Sequence, residues 1–212
     1  MSDGHTFRGF DEDLQELDRQ IGEMGQLCVD AVNRCIDALL HDDDALASAV
    51  EADDRRIDEL HNEVGRAVLY ALTRQQPVAR DLRRIIALEH MCNELERVGD
   101  HARNIARRSR SMVTPVEAAP ASQVRWLRSR VLNMLREVLE AFEQGNQGQA
   151  YRVRHADEDL DALYHQLFDY VLETMNAGRL SAGDGSQMLL IAKSLERIGD
   201  HTASMAADVL FM

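Results

Sequence analysis

The chain has 212 residues, 45% hydrophobic and 29% charged, with a net charge of −13. Such a balance describes a globular protein with apolar material for one large core or two small ones. It argues against a nucleic-acid backbone as a partner. No apolar run approaches the length of a membrane span, and the opening stretch "MSDGHTFRGFDEDLQELDRQ" has no basic segment leading into an apolar one, so a cytoplasmic location is expected.

Three prolines, 12 glycines and 5% aromatic residues favour long helices over strands. Apolar residues recur at alternating steps of three and four, the helical period, in six stretches. The first runs from Leu14 through Ile21 and Cys28 to Cys35, and the second from Ile57 through Leu60 and Val64 to Ala71. The third carries Leu88, Met91, Leu95, Val98, Ala102 and Ile105, and the fourth runs from Val124 through Val131 to Ala141. The fifth is marked by Leu160, Leu163, Leu167 and Tyr170, and the sixth by Met188, Ile191, Leu195, Ile198, Thr202, Met205 and Val209. Breaks separate them: "HDDD" at His41 reads as a helix stop and a new N-cap, "QQP" at Pro77 as a tight turn, and "QGNQGQ" and "NAGRLSAGDG" as later turns.

"LERVGDH" at 95–101 returns as "LERIGDH" at 195–201, and the third-helix apolar positions map onto the sixth by adding 100. A motif repeated together with its core register marks a repeated unit. The expected fold is therefore all-α: two tandem, pseudo-symmetric three-helix antiparallel bundles, residues 1–112 and 123–212, joined by a linker at 113–122 within "SMVTPVEAAPAS".

Charge is uneven along the chain. Residues 1–73 sum to −12, residues 74–136 to +7 and residues 137–212 to −8. Of two readings, basic middle helices neutralising acidic neighbours within one bundle is preferred to a basic docking face. Cys28 and Cys35 lie seven apart on an apolar stripe and Cys92 lies near another, which reads as three small core residues rather than disulfides or zinc ligands.

The acids carry the chemistry. Glu96 and Asp100, four apart, are neighbours on one helix face beside the seam set by Leu95 and Val98, and Glu196 and Asp200 repeat this. On the preceding helices, Asp54 and Asp58 form one such pair and Asp157 and Asp161 another. In an antiparallel hairpin, residues equidistant from the turn lie at the same height. Asp54/Asp100 and Asp58/Glu96 are each centred on Pro77, while Asp157/Asp200 and Asp161/Glu196 are centred just past Gly178. Each half thus brings four carboxylates level on adjacent helices. Their repulsion is offset if a hard cation binds to the oxygens, and Gly99 and Gly199, mid-helix glycines costing about 1 kcal/mol each, leave room for an ion, a ligand or a close partner. The competing reading is a solvated face neutralised by nearby arginines, among Arg55, Arg56, Arg97, Arg103 and Arg197. His101 and His201, each directly after an aspartate, point about 100° away from it and read as polar interface residues.

Two three-helix repeats, each ending in L-E-R-[IV]-G-D-H and each preceded by a D-x-x-x-D pair, resemble the PhoU family. The stretch "PVARDLRRIIALEHMCNELERVGDHARNIA" is similar to that family's first repeat, and the resemblance runs from about Phe10 to the end. It implies a regulator of phosphate uptake, acting negatively on the phosphate-starvation response. It implies coupling between a phosphate ABC transporter, through a PstB-like ATPase subunit, and a PhoR-like sensor histidine kinase, with the membrane reached only through these partners. It implies a homodimer and bound metal (iron, manganese, magnesium or zinc) on Asp54, Asp58, Glu96, Asp100, Asp157, Asp161, Glu196 and Asp200. Ser204 stands where the first copy has Asn104, which leaves equal occupancy of the two sites open.

Two other readings compete. A ferritin-like di-metal protein uses Glu-x-x-His pairs at core-facing positions, which the repeats lack, and a metal-free helical scaffold would use the acids only to meet a basic partner. No nucleophile triad, phosphate loop or dinucleotide loop is visible, so no catalytic residue is expected.

Overall fold

The computed structural model describes residues 3–75, 77 and 79–212, and their side chains except at 3–11, 75, 118, 119, 157 and 158. The described residues form helices α1 (Asp3–His41), α2 (Asp44–Gln75), α3 (Ala79–Ser109), α4 (Ala118–Gln144), α5 (Gln147–Arg154), α6 (Asp157–Asn176) and α7 (Ala182–Phe211), with no strand among them. Helices α1, α2 and α3 make the first bundle, and α4, α5 with α6, and α7 make the second.

The breaks follow local chemistry. After α1, Asp42 takes a left-handed φ of 55°, and the Asp43 carboxylate accepts the Leu46 N–H at 2.9 Å, capping α2. Pro77 sits between α2 and α3, where the spacing of the acids placed the turn. Gly145 closes α4 at φ 62°, with its N–H directed to the carbonyls of Ala141 and Phe142. Gly178, at φ 68°, lies in the turn between α6 and α7, and Ser181 caps α7 by accepting the Asp184 N–H at 3.0 Å.

Two details differ from the sequence reading. The expected fifth helix is two, interrupted at His155 and Ala156, where ψ values of 3° and −4° replace the helical value. The residues that follow, Asp157–Asp159, are an acidic run suited to a fresh helix N-terminus. The connection between halves occupies 110–117, because residues 118–122 already belong to α4. It is pinned to the second bundle: the Asp184 carboxylate, almost fully buried in the first turn of α7, accepts the Val113 N–H at 2.9 Å.

One core runs through both halves, from Leu17 and Ile21 in α1 through Leu95 in α3 to Leu195 and Ile198 in α7. The bundles join mainly through α3 on α7 and α1 on α4. On α1, Gly25 lets α4 close in, since a Cβ there would lie 2.4 Å from Leu139 Cδ2. All three cysteines are buried thiols without a disulfide, as expected of small core residues. The basic middle of the chain neutralises acids on neighbouring helices, with Arg84 on Asp18, Arg110 on Glu51, Arg128 on Asp37 and Arg130 on Asp159.

The α3–α7 contact holds the polar residues. His90 Nδ1 lies 2.7 Å from Asp208 Oδ2, His201 Nδ1 lies 2.6 Å from Glu94 Oε2, and Arg108 donates to Gln187 at 3.2 Å. Partner numbers fall along α7 as they rise along α3, so the two motif helices run antiparallel. The His101 and His201 rings meet at 5.4 Å, which puts both histidines at the interface between repeats.

Substitutions at two glycines separate packing from propensity. Gly65 is exposed within α2 with open space around its Cβ position. Gly65→Ala is expected to raise stability by about 0.5–1 kcal/mol. Gly25→Ala is expected to lower it by about 1–3 kcal/mol, because Leu139 is itself buried and must be displaced. Thermal melts check both signs, and equal shifts would remove the close approach of α1 and α4.

A second expectation concerns acid. Burial, and secondarily the His201 ring, lower His101 from 6.5 to about 4. The unfolded chain therefore takes up this proton first, and stability is lost as pH falls from above 6.5 toward 4. Urea unfolding at about pH 7.5 and about pH 5 should show His101→Gln losing less stability than the parent chain across that interval. Parallel losses would show that His101 is not the acid-sensitive group.

Candidate functional site

The first acidic quartet assembles as the hairpin arithmetic requires. Asp54 and Asp58 on α2 face Glu96 and Asp100 on α3 closely enough for their charges to act on one another. Gly99 makes the approach possible: a Cβ there would lie 3.0 Å from Ile57 Cδ1 and 3.2 Å from Asp54 Oδ1. The glycine of the repeated motif thus leaves its space to the Ile57 and Asp54 side chains of α2 rather than to an open pocket.

Burial differs across the quartet. Asp54 is 6% exposed, whereas Asp58, Glu96 and Asp100 are half-buried. Desolvation pushes the Asp54 carboxyl above its ordinary range; the Arg103 guanidinium pulls against this, and the charges of Asp58 and Asp100 add to it. Glu96 is raised as well, by burial first and then by Asp100.

Of the five arginines near in sequence, Arg103 is the one that enters the quartet. Its Nη1 donates to Asp54 Oδ2, and its Nη2 lies 2.5 Å from Asp100 Oδ1. Arg97 stands further out, 3.5 Å from Glu96 and 3.8 Å from Asp100. Arg55 turns to its own helix backbone and Arg56 reaches Glu23 on α1.

In the second repeat, Glu196 is buried, Asp200 is half-buried and Asp161 is exposed, while the Asp157 side chain lies outside the described residues. Lys193 Nζ is 2.5 Å from Glu196 Oε2 and 5.4 Å above the Tyr164 ring, and Arg197 is 3.2 Å from Asp200. Lys193 was legible only as the single lysine of the chain. Its position three before Glu196, one helical turn, was the available signal.

A scan against family models matches the PhoU domain at residues 21–109 and again at 124–209. The chain belongs to the PhoU family. Two curated relatives, each called a phosphate-specific transport system accessory protein PhoU homolog, align over nearly all of it. The one from Rhizobium meliloti is 33% identical, covering 100% of this chain and 90% of the relative. The one from Zymomonas mobilis is 36% identical, covering 98% and 88%. Among solved structures, PhoU from Pseudomonas aeruginosa superposes with a TM-score of 0.90 at 30% identity, covering 95% of this chain and 97% of that one. The phosphate transport system regulatory protein PhoU from Streptococcus pneumoniae gives 0.88 at 27%, covering 95% of each chain.

The metal that the family resemblance implies can be set against these residues. Four carboxylates are a donor set for a hard cation. Their arrangement in the first repeat does not fit one, because the Arg103 guanidinium stands between Asp54 and Asp100. Among the described residues, no three histidine, cysteine or acidic side chains converge to hold an ion.

The close approach at Gly99 has a measurable cost when filled. Gly99→Val drives a branched side chain against Ile57 and Asp54 and is expected to cost about 1–3 kcal/mol, read as a lowered urea midpoint. An unchanged midpoint would mean that α2 and α3 are not held together at this point.

Proposed function

We propose that this chain regulates phosphate uptake as a non-enzymatic adaptor. In this reading it docks on the ATPase subunit of a phosphate ABC transporter and on a sensor histidine kinase, keeping the phosphate-starvation response off when phosphate is plentiful. The observation that carries the reading is similarity along the whole chain, through both repeats, to relatives named as accessory proteins of phosphate-specific transport. Fold similarity to a protein titled a phosphate transport system regulatory protein supports it.

The interior supports binding over catalysis. Two buried carboxylates are taken up by ion pairs, Asp54 with Arg103 and Glu196 with Lys193, and the half-buried Glu94 lies at hydrogen-bond distance from His201. No described helix is long and apolar enough to cross a membrane, so contact with a transporter passes through its exposed subunit. A homodimer belongs to the same reading, and light scattering of the full chain measures it directly.

Deleting the gene in its source bacterium is expected to switch on phosphate-uptake genes in phosphate-rich medium, with repression restored by the intact chain on a plasmid. The tagged chain should also retain the transporter ATPase subunit and the kinase from the same cells. Normal repression in the deletion strain would overturn the regulatory reading. Derepression without retention of either partner would overturn the adaptor mechanism.

A further inference from the structure

We infer that Arg103 is the built-in counter-ion of the first repeat: its guanidinium takes the position that a divalent cation would need between Asp54 and Asp100, and it makes that patch independent of metal. The inference does not depend on the phosphate-signalling reading.

The first argument is geometric. One guanidinium reaches carboxylates on two helices, Asp54 on α2 and Asp100 on α3, with a separate nitrogen for each. The fork of an arginine suits this bridging, and its charge is permanent. Asp54 is 6% exposed, and a carboxylate so far from water needs a cation or a proton. Arg103 supplies the cation. On the remaining side, the space is closed by the approach of Gly99 to Asp54 and Ile57. An ion entering between the two aspartates must therefore displace the guanidinium.

The second argument comes from the duplication. Position 203, the counterpart of Arg103, is alanine, and position 93, the counterpart of Lys193, is asparagine. The two repeats share their motif carboxylates but not their cations. In the second repeat the ammonium of Lys193 sits on Glu196, one turn before the motif aspartate rather than one turn after it. Removing Arg103 in favour of alanine gives the first repeat the residue the second one has, and leaves Asp54 without a charge partner on its own hairpin. A tethered cation also competes at an effective concentration of roughly millimolar or above, so free divalent ions at lower concentrations do not replace it.

The test measures Mn2+ binding by the full chain after chelator treatment, for the parent, Arg103→Gln and Arg103→Ala, each with and without Asp54→Asn. Comparing each protein with its Asp54→Asn version isolates the first repeat from any ion held elsewhere. Asp54→Asn should leave the parent isotherm unchanged. Both arginine variants should gain Mn2+ binding that Asp54→Asn abolishes, at least tenfold tighter than any such binding in the parent. Their melting temperatures in chelator should fall and then recover on adding Mn2+, whereas the parent should not shift. An Arg103→Ala protein that folds only with Mn2+ would equally support the inference. If that variant does not fold in either condition, Arg103→Gln decides by the same comparison. The inference is overturned if the parent binds Mn2+ in an Asp54-dependent way, or if a folded arginine variant gains no binding.

Discussion

Everything in the molecule hangs on the antiparallel contact between α3 and α7, the two helices that carry the repeated motif. Leu95 and Val98 on one side, and Leu195 and Ile198 on the other, are fully buried. That burial fixes which face of each helix is left for the acids. Glu96 and Asp100 cannot turn inward without pulling Leu95 and Val98 into water, and a fully buried side chain of this kind contributes about 1.5–3 kcal/mol. The carboxylates are therefore presented sideways, toward α2 in the first repeat.

Around that seam the polar groups are arranged by necessity. His101 lies between helices where water is largely excluded and remains neutral, while His90 and His201 sit against carboxylates. The first acidic quartet lies one layer out, where Gly99 brings α3 against α2, and Arg103 balances the most buried acid. The duplication thus conserves the backbone frame and the acidic motif while each half resolves its charge in its own way.

Much of this was legible in the sequence. Apolar period gave the helices, the shift of 100 gave the repeat, and equal distances from Pro77 placed Asp54 opposite Asp100 before any coordinate. These are local or hairpin relations, in which sequence separation converts directly into height along a helix. What escaped has a different character. The break at His155 and Ala156 lies in a stretch without proline or glycine, so no strong stop signal marks it. The choice of Arg103 over four other arginines depends on rotamers and on which helix face is buried, not on spacing. The contacts of His90 with Asp208 and of His201 with Glu94 join residues more than 100 positions apart, across a packing register that periodicity does not supply. In the second repeat the spacing set Lys193 one turn before Glu196, but nothing in it pointed to the Tyr164 ring below the ammonium.

The continuous core has a mechanical meaning. Sequence symmetry suggests two beads on a string, yet Leu17 of α1 and Ile198 of α7 belong to one packed interior, and Asp184 clips the crossing segment down at Val113. Interiors at crystal-like density do not shear without opening voids. The halves are consequently fused as a rigid block, with α2 on one flank and α6 on the other. Proteins gripping those flanks would be kept at a set separation, as a gauge block keeps two jaws apart, and any change in their spacing would have to occur within the partners themselves.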